Sequence, residues 1–190
     1  MTNPYTIPNL LTALRIALIP VIVGLFYLPY TWSDMACGLL FAVVGITDAF
    51  DGYLARKLGQ VSRLGAFLDP VADKLIVATA LVLIVSKNPV WYVTLTAAVI
   101  IGREIAISAL REWMAGIGAQ QKLAVTGVAK FKTIVQIVGL SMMLFQQDIL
   151  GLPVYWTGLA LTVLAAVLTL WSMAAYLRSA WPELRGFRQT

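Results

Sequence analysis

Residues 48–73 read DAFDGYLARKLGQVSRLGAFLDPVAD. Four carboxylates fall in two pairs, Asp48 with Asp51 and Asp69 with Asp73, with Gly52, Arg56 and Gly65 between them. Residues three or four apart share a face of a helix, so each pair points one way from its own helix. The chain around them offers little water: of 190 residues 60% are apolar and 12% charged, with a mean hydropathy of +0.84. A soluble domain carries about one quarter charged residues. The apolar runs are about 20 residues long and lack two-residue alternation, which predicts helical membrane spans and not barrel strands. At this length one compact bundle over residues 1–190 is expected, with no repeat and no second domain.

Outward from residues 48–73, six spans are predicted. The first runs from about Asn9 to Leu28, with Pro4 and Pro8 outside it, Asn9 as its N-cap and Pro20 as a potential kink. The second and third, about Asp34 to Lys57 and Phe67 to Val85, flank the polar segment KLGQVSRLG. The fourth runs from about Val90 to Met114, the fifth from Val125 to Gln146 and the sixth from Val154 to Leu177, before a basic tail. The first segment lacks the basic start and small-residue cleavage site of a signal peptide, so a retained helix is expected. The class expected is therefore an all-α integral membrane protein with six transmembrane helices.

The basic residues orient it. An even number of spans puts both termini on one side, and the loops and helix ends of that side hold every Lys and Arg except Lys87. That side is expected to face the cytoplasm. Trp32, Trp91 and Trp156 fall near the opposite boundary, as an interfacial aromatic belt requires. The formal charge of +5 points to anionic lipid and phosphorylated substrates and not to nucleic acid, because no separate basic soluble face exists. Cys37 is the single cysteine, reads as a packed hydrophobe and has no partner for an internal disulfide. The chain has no histidine, so carboxylates must serve as both ligands and base.

One aspartate pair at a membrane boundary is ordinarily a solvated helix end. Two pairs with intervening glycines and an arginine ask for more. Clustered carboxylates without His or Cys suit hard divalent cations, Mg²⁺ or Mn²⁺, and two such ions a few ångströms apart form a clamp for phosphoryl displacement. An acidic-site metal transporter would also need the carboxylates, but it leaves Gly52, Arg56, Gly65 and the spacing unexplained. A glycine inside a helix costs roughly 1 kcal/mol relative to alanine, so Gly52 marks either close helix packing or backbone approach by a ligand.

The spacing D-x-x-D-G-x-x-A-R-x8-G-x-x-x-D-x-x-x-D, carried by Asp48, Asp51, Gly52, Ala55, Arg56, Gly65, Asp69 and Asp73, resembles the signature of the CDP-alcohol phosphotransferase family. The resemblance implies six transmembrane helices, a homodimer, and transfer of a phosphatidyl or similar group from a CDP-linked donor to an alcohol, with release of CMP. It implies that Asp48, Asp51 and Asp69 bind the metals, that Asp73 reaches one of them and is the general base, and that Gly52 and Arg56 meet the nucleotide. The resemblance also implies that Gly65 belongs to the same donor site. PNLLTALR resembles the family's N-terminal donor segment and adds Asn9, Thr12 and Arg15. Two basic groups, Arg103 with Arg111 and Lys130 with Lys132, suit a phosphate on the acceptor. Within the family, LLTALRIALIPV, FLDPVADK, GREI and KFKT look most like bacterial members that join CDP-diacylglycerol to glycerol 3-phosphate, which implies the inner membrane; Ala129 departs from the expected glycine. Inositol phosphate, phosphatidylglycerol and serine are the alternative acceptors.

Overall fold

A computed structural model describes residues 7–58, 63–117 and 127–186, and within them it is helical, with no strand beyond one isolated bridge between Ile149 and Leu152. Six helices follow the six expected segments: α1 Ile7–Phe26, α2 Thr31–Leu58, α3 Arg63–Lys87, α4 Trp91–Gly116, α5 Gly127–Phe145 and α6 Val154–Gly186. Among the described residues two stretches, Trp91–Gly116 and Val154–Arg178, are by themselves long and apolar enough to cross a membrane. The carboxylates Asp48, Asp69 and Asp73 lie on two of the others, α2 and α3.

Several boundaries differ from expectation, among them those of α2, which begins at Thr31 and not Asp34, and α3, which is helical from Arg63 and not only from Phe67. Helix α1 begins at Ile7, so Pro8 and Asn9 lie in its first turn and Asn9 is not the N-cap. A first-turn proline is tolerated because the amide hydrogen it lacks has no acceptor there. Helix α6 continues past Leu177 to Gly186, since the exposed Arg178 interrupts hydrophobicity without interrupting the backbone ladder.

α1 packs against α2 and α3, α2 against α5, and α5 against α6, while α4 lies between α3 and α6. Ile22, Phe41, Ile84, Ile100, Leu140 and Leu144 belong to one buried apolar cluster. Where α5 crosses α6 the backbones nearly touch. A Cβ on Gly158 would stand 2.7 Å from the Gly139 carbonyl oxygen, and one on Gly139 would stand 2.6 Å from Thr162 Oγ1. Close approach through small residues is how helices associate in lipid, where burial from water gives no drive. The α5–α6 connection turns at Leu150 (φ 51°) and Gly151 (φ +80°), and Val154 N–H donates to Asp148 Oδ1 at the start of α6.

The starts of α2, α4 and α6 share one end of the bundle. There Trp32 stacks on Tyr30, and Trp91 and Trp156 meet Tyr92 and Tyr155 edge to face. Lys87 sits at the same end, ion-paired with Asp34 at 2.6 Å and over the Phe26 ring. The one cation that breaks the charge asymmetry is thus neutralised in place.

Candidate active site

Helices α1 and α3 run side by side in the same direction. Thr12 and Arg15 lie three apart on α1, Asp69 and Asp73 four apart on α3, so a step along one helix meets a step along the other. The Thr12 hydroxyl donates to Asp69 Oδ1. Arg15 Nη1 lies 2.6 Å from Asp73 Oδ1 and 2.8 Å from Asp48 Oδ1 on α2. Arg15 is 3% exposed, and a guanidinium buried so deeply requires that pairing. Thr12 is equally enclosed, whereas the Asp73 side chain is 44% exposed and open to an incoming group.

Thr12, Arg15, Asp48, Asp69 and Asp73, named from the sequence, are therefore brought together. Asp51, Gly52 and Arg56 continue the α2 helix, but the side chains of Asp51 and Arg56 lie outside the described residues, as does that of Asn9. Gly65 is buried in the first turn of α3 and is neither loop nor cap. Among the described residues no three acidic side chains form a ready ligand group. The donor set still fits a divalent cation: carboxylate and hydroxyl oxygens are hard ligands, and the place between Asp48 and Asp73 already holds a positive group.

A second polar cluster joins α4, α5 and α6. Glu104 Oε1 accepts from Arg103 Nη1 at 2.8 Å and from Lys132 Nζ at 3.0 Å, and Arg103 Nη2 donates to Ser172 Oγ at 2.8 Å. Arg103 and Lys132 are both buried, and one carboxylate between two cations leaves the trio with a net positive charge suited to a phosphate. Arg111 is held apart: two turns further along α4 it donates to the Tyr176 hydroxyl at 3.0 Å and lies over that ring. Lys130 lies on α5 with its side chain outside the described residues.

Between the carboxylates and α5 lies a cavity of about 80 Å³, lined by Arg15, Asp48, Asp73, Thr133 and Gln136 over an apolar base that includes Val44 and Ile76. At about 15 Å³ per water site this is room for roughly five waters, comparable to the heavy atoms of a small polyol and far short of a nucleotide. Sequence reasoning missed Gln136, Ser172 and Tyr176. Gln136 had one readable sign, its position four residues after Lys132. Ser172 and Tyr176, in an apolar run of α6, had none.

Over residues 5–171 the chain matches the sequence profile of the CDP-alcohol phosphatidyltransferase family. It is 52% identical over 180 residues, 95% of this chain and 97% of the relative, to the CDP-diacylglycerol–glycerol-3-phosphate 3-phosphatidyltransferase of Escherichia coli K12. Proteins of the same name from Shigella flexneri serotype 5b and Shigella sonnei match with the same identity and coverage.

Proposed function

This chain belongs to the CDP-alcohol phosphatidyltransferase family, and on that footing we propose that it transfers the phosphatidyl group of CDP-diacylglycerol to sn-glycerol 3-phosphate, forming phosphatidylglycerol phosphate and CMP. The observation that carries the acceptor is the near-full-length relation to enzymes named for this reaction. The convergence of Thr12, Arg15, Asp48, Asp69 and Asp73 supports the chemistry.

Asp73 takes the proton of the 1-hydroxyl of glycerol 3-phosphate. Arg15 engages Oδ1 of that carboxylate, so the other oxygen receives the proton. The hydroxyl oxygen then forms a bond to the diacylglycerol-bearing phosphorus. The bond from that phosphorus to the bridging oxygen breaks, and CMP leaves with the electron pair. Asp48, Asp51, Asp69 and Asp73 would hold two divalent cations, Mg²⁺ or Mn²⁺, which when bound offset the charge on the diphosphate. Arg103 and Lys132 receive the acceptor phosphate by exchanging Glu104 for it, and Gly52, Gly65 and Arg56 belong to the nucleotide side. Purified protein in mixed micelles with both substrates and Mg²⁺ should release CMP only when glycerol 3-phosphate is present; release that ignores it would remove this acceptor.

The same reading makes the protein a six-span homodimer of the bacterial inner membrane, with both termini and the active site cytoplasmic. Asp73 lies 14 residues before Lys87 and Arg103 lies 12 after Trp91, so both stand about 20 Å from the tryptophan end at 1.5 Å per residue. That depth approaches the far face of a hydrocarbon core about 30 Å thick, where a lipid diphosphate resides. Leu150 is 98% exposed at the tryptophan end, so Leu150→Cys in whole cells with a permeabilised outer membrane should react with an impermeant maleimide. Labelling only after the inner membrane is broken would reverse the orientation.

A further inference from the structure

Gln136 is 5% exposed, and its Oε1 has no hydrogen-bond partner. A buried carbonyl left unpaired costs about 1–3 kcal/mol, and native proteins leave few of them. The side chain lines the cavity it shares with Arg15, Asp48 and Asp73. None of these neighbours resolves the deficit. Carboxylates offer acceptors, and Arg15 turns its Nη1 to Asp48 and Asp73. A ligand that brings its own donor would answer that carbonyl.

We propose that Gln136 reads the second hydroxyl of the acceptor, the one that does not react, and so is a specificity-determining residue that turns the 1-hydroxyl toward Asp73. This rests on glycerol 3-phosphate being the acceptor. Three features converge on that role. A phosphate accepts hydrogen bonds and cannot donate to a carboxamide oxygen, whereas a hydroxyl both donates and accepts, so it suits the amide in either orientation. Lys132 and Gln136 lie four apart on α5, both buried, with Cβ atoms about 5–6 Å apart on one face. A three-carbon acceptor with its phosphate at Lys132 and Arg103 thus presents its free hydroxyls one turn along, at Gln136 and the facing Asp73. The cavity has room for that carbon chain.

The test compares kcat/KM for glycerol 3-phosphate with that for 3-hydroxypropyl phosphate, which keeps the phosphate and the reacting hydroxyl and lacks the middle one. A site built to hydrogen-bond a hydroxyl rejects the analogue that lacks it. The wild-type protein should prefer glycerol 3-phosphate by about 10- to 100-fold, the range that one unpaired buried polar group implies. In Gln136→Met the preference should fall to about threefold or less, through loss on glycerol 3-phosphate and little change on the analogue. Gln136→Leu should give the same collapse, and because each ratio is measured within one preparation, a partly unfolded fraction cancels. A wild-type ratio near one overturns the proposal without any variant. So does a ratio unchanged in the variants, as expected if the cavity holds only water. CMP release independent of both acceptors instead overturns the acceptor assignment on which the proposal stands.

Discussion

Asp73→Asn is expected to abolish turnover, lowering kcat by about 10²- to 10⁴-fold, the range a positioned general base supplies. Asparagine keeps the shape of the side chain and an oxygen for Arg15 Nη1, which lies 2.6 Å from Asp73 Oδ1 in the native protein. It has no oxygen that can take a proton at neutral pH. Arg15 also remains paired with Asp48, so the buried guanidinium is not stranded. Stability and CDP-diacylglycerol binding should therefore change far less than turnover. Single-turnover CMP release together with equilibrium binding of the donor separates the two quantities. Activity above about one tenth of the native rate would place the base elsewhere; loss of donor binding in proportion to rate would make Asp73 a donor-site residue.

Gly158→Ala should give a large loss of stability from a single methyl group. The added Cβ would stand 2.7 Å from the Gly139 carbonyl oxygen, 2.8 Å from Met142 Cβ and 3.0 Å from the Met143 backbone nitrogen. Two of these three atoms belong to backbone and cannot rotate away, so α5 and α6 must separate. Overpacking of this kind costs about 1–3 kcal/mol. For a chain of this size that corresponds to a Tm lower by about 3–10 °C. Thermal unfolding in detergent measures it directly. Gly102→Ala is the control, because a Cβ there meets nothing within 4 Å, and alanine stabilises an exposed helix position. Equal Tm values for Gly158→Ala and the native protein would mean that α5 and α6 do not approach so closely. Separation should also reach the site, since α5 carries Lys132 and Gln136 and α6 carries Ser172, the partner of Arg103.

The helix count was legible because apolar runs at span length dominate every other signal in this chain. The start of α1 was not, because Pro8 reads as a stop when it is a tolerated first-turn residue. The carboxylate cluster was legible for a related reason. Asp48, Asp69 and Asp73 are anomalies in an apolar background, and their spacing is kept by helices that cannot change pitch. The basic cluster was legible only as charge. The sequence groups Arg103 with Arg111 and Lys130 with Lys132, yet Arg103 and Lys132 share Glu104 while Arg111 is taken up by Tyr176.

By itself, then, the sequence determined that the chain is an α-helical membrane protein and that its carboxylates stand in two pairs at the ends of adjacent helices. Both follow from periodicity and hydropathy, which act along the chain. Only the tertiary structure decided that Arg15 joins Asp48 to Asp73, that Glu104 divides its charge between two cations, and that Gln136 lies in a cavity with an unanswered carbonyl. Those facts depend on which faces meet when helices cross, and that choice is made by small residues such as Gly139 and Gly158, which set how near two backbones come. Nothing in the local sequence around Arg15 specifies a partner 58 residues away.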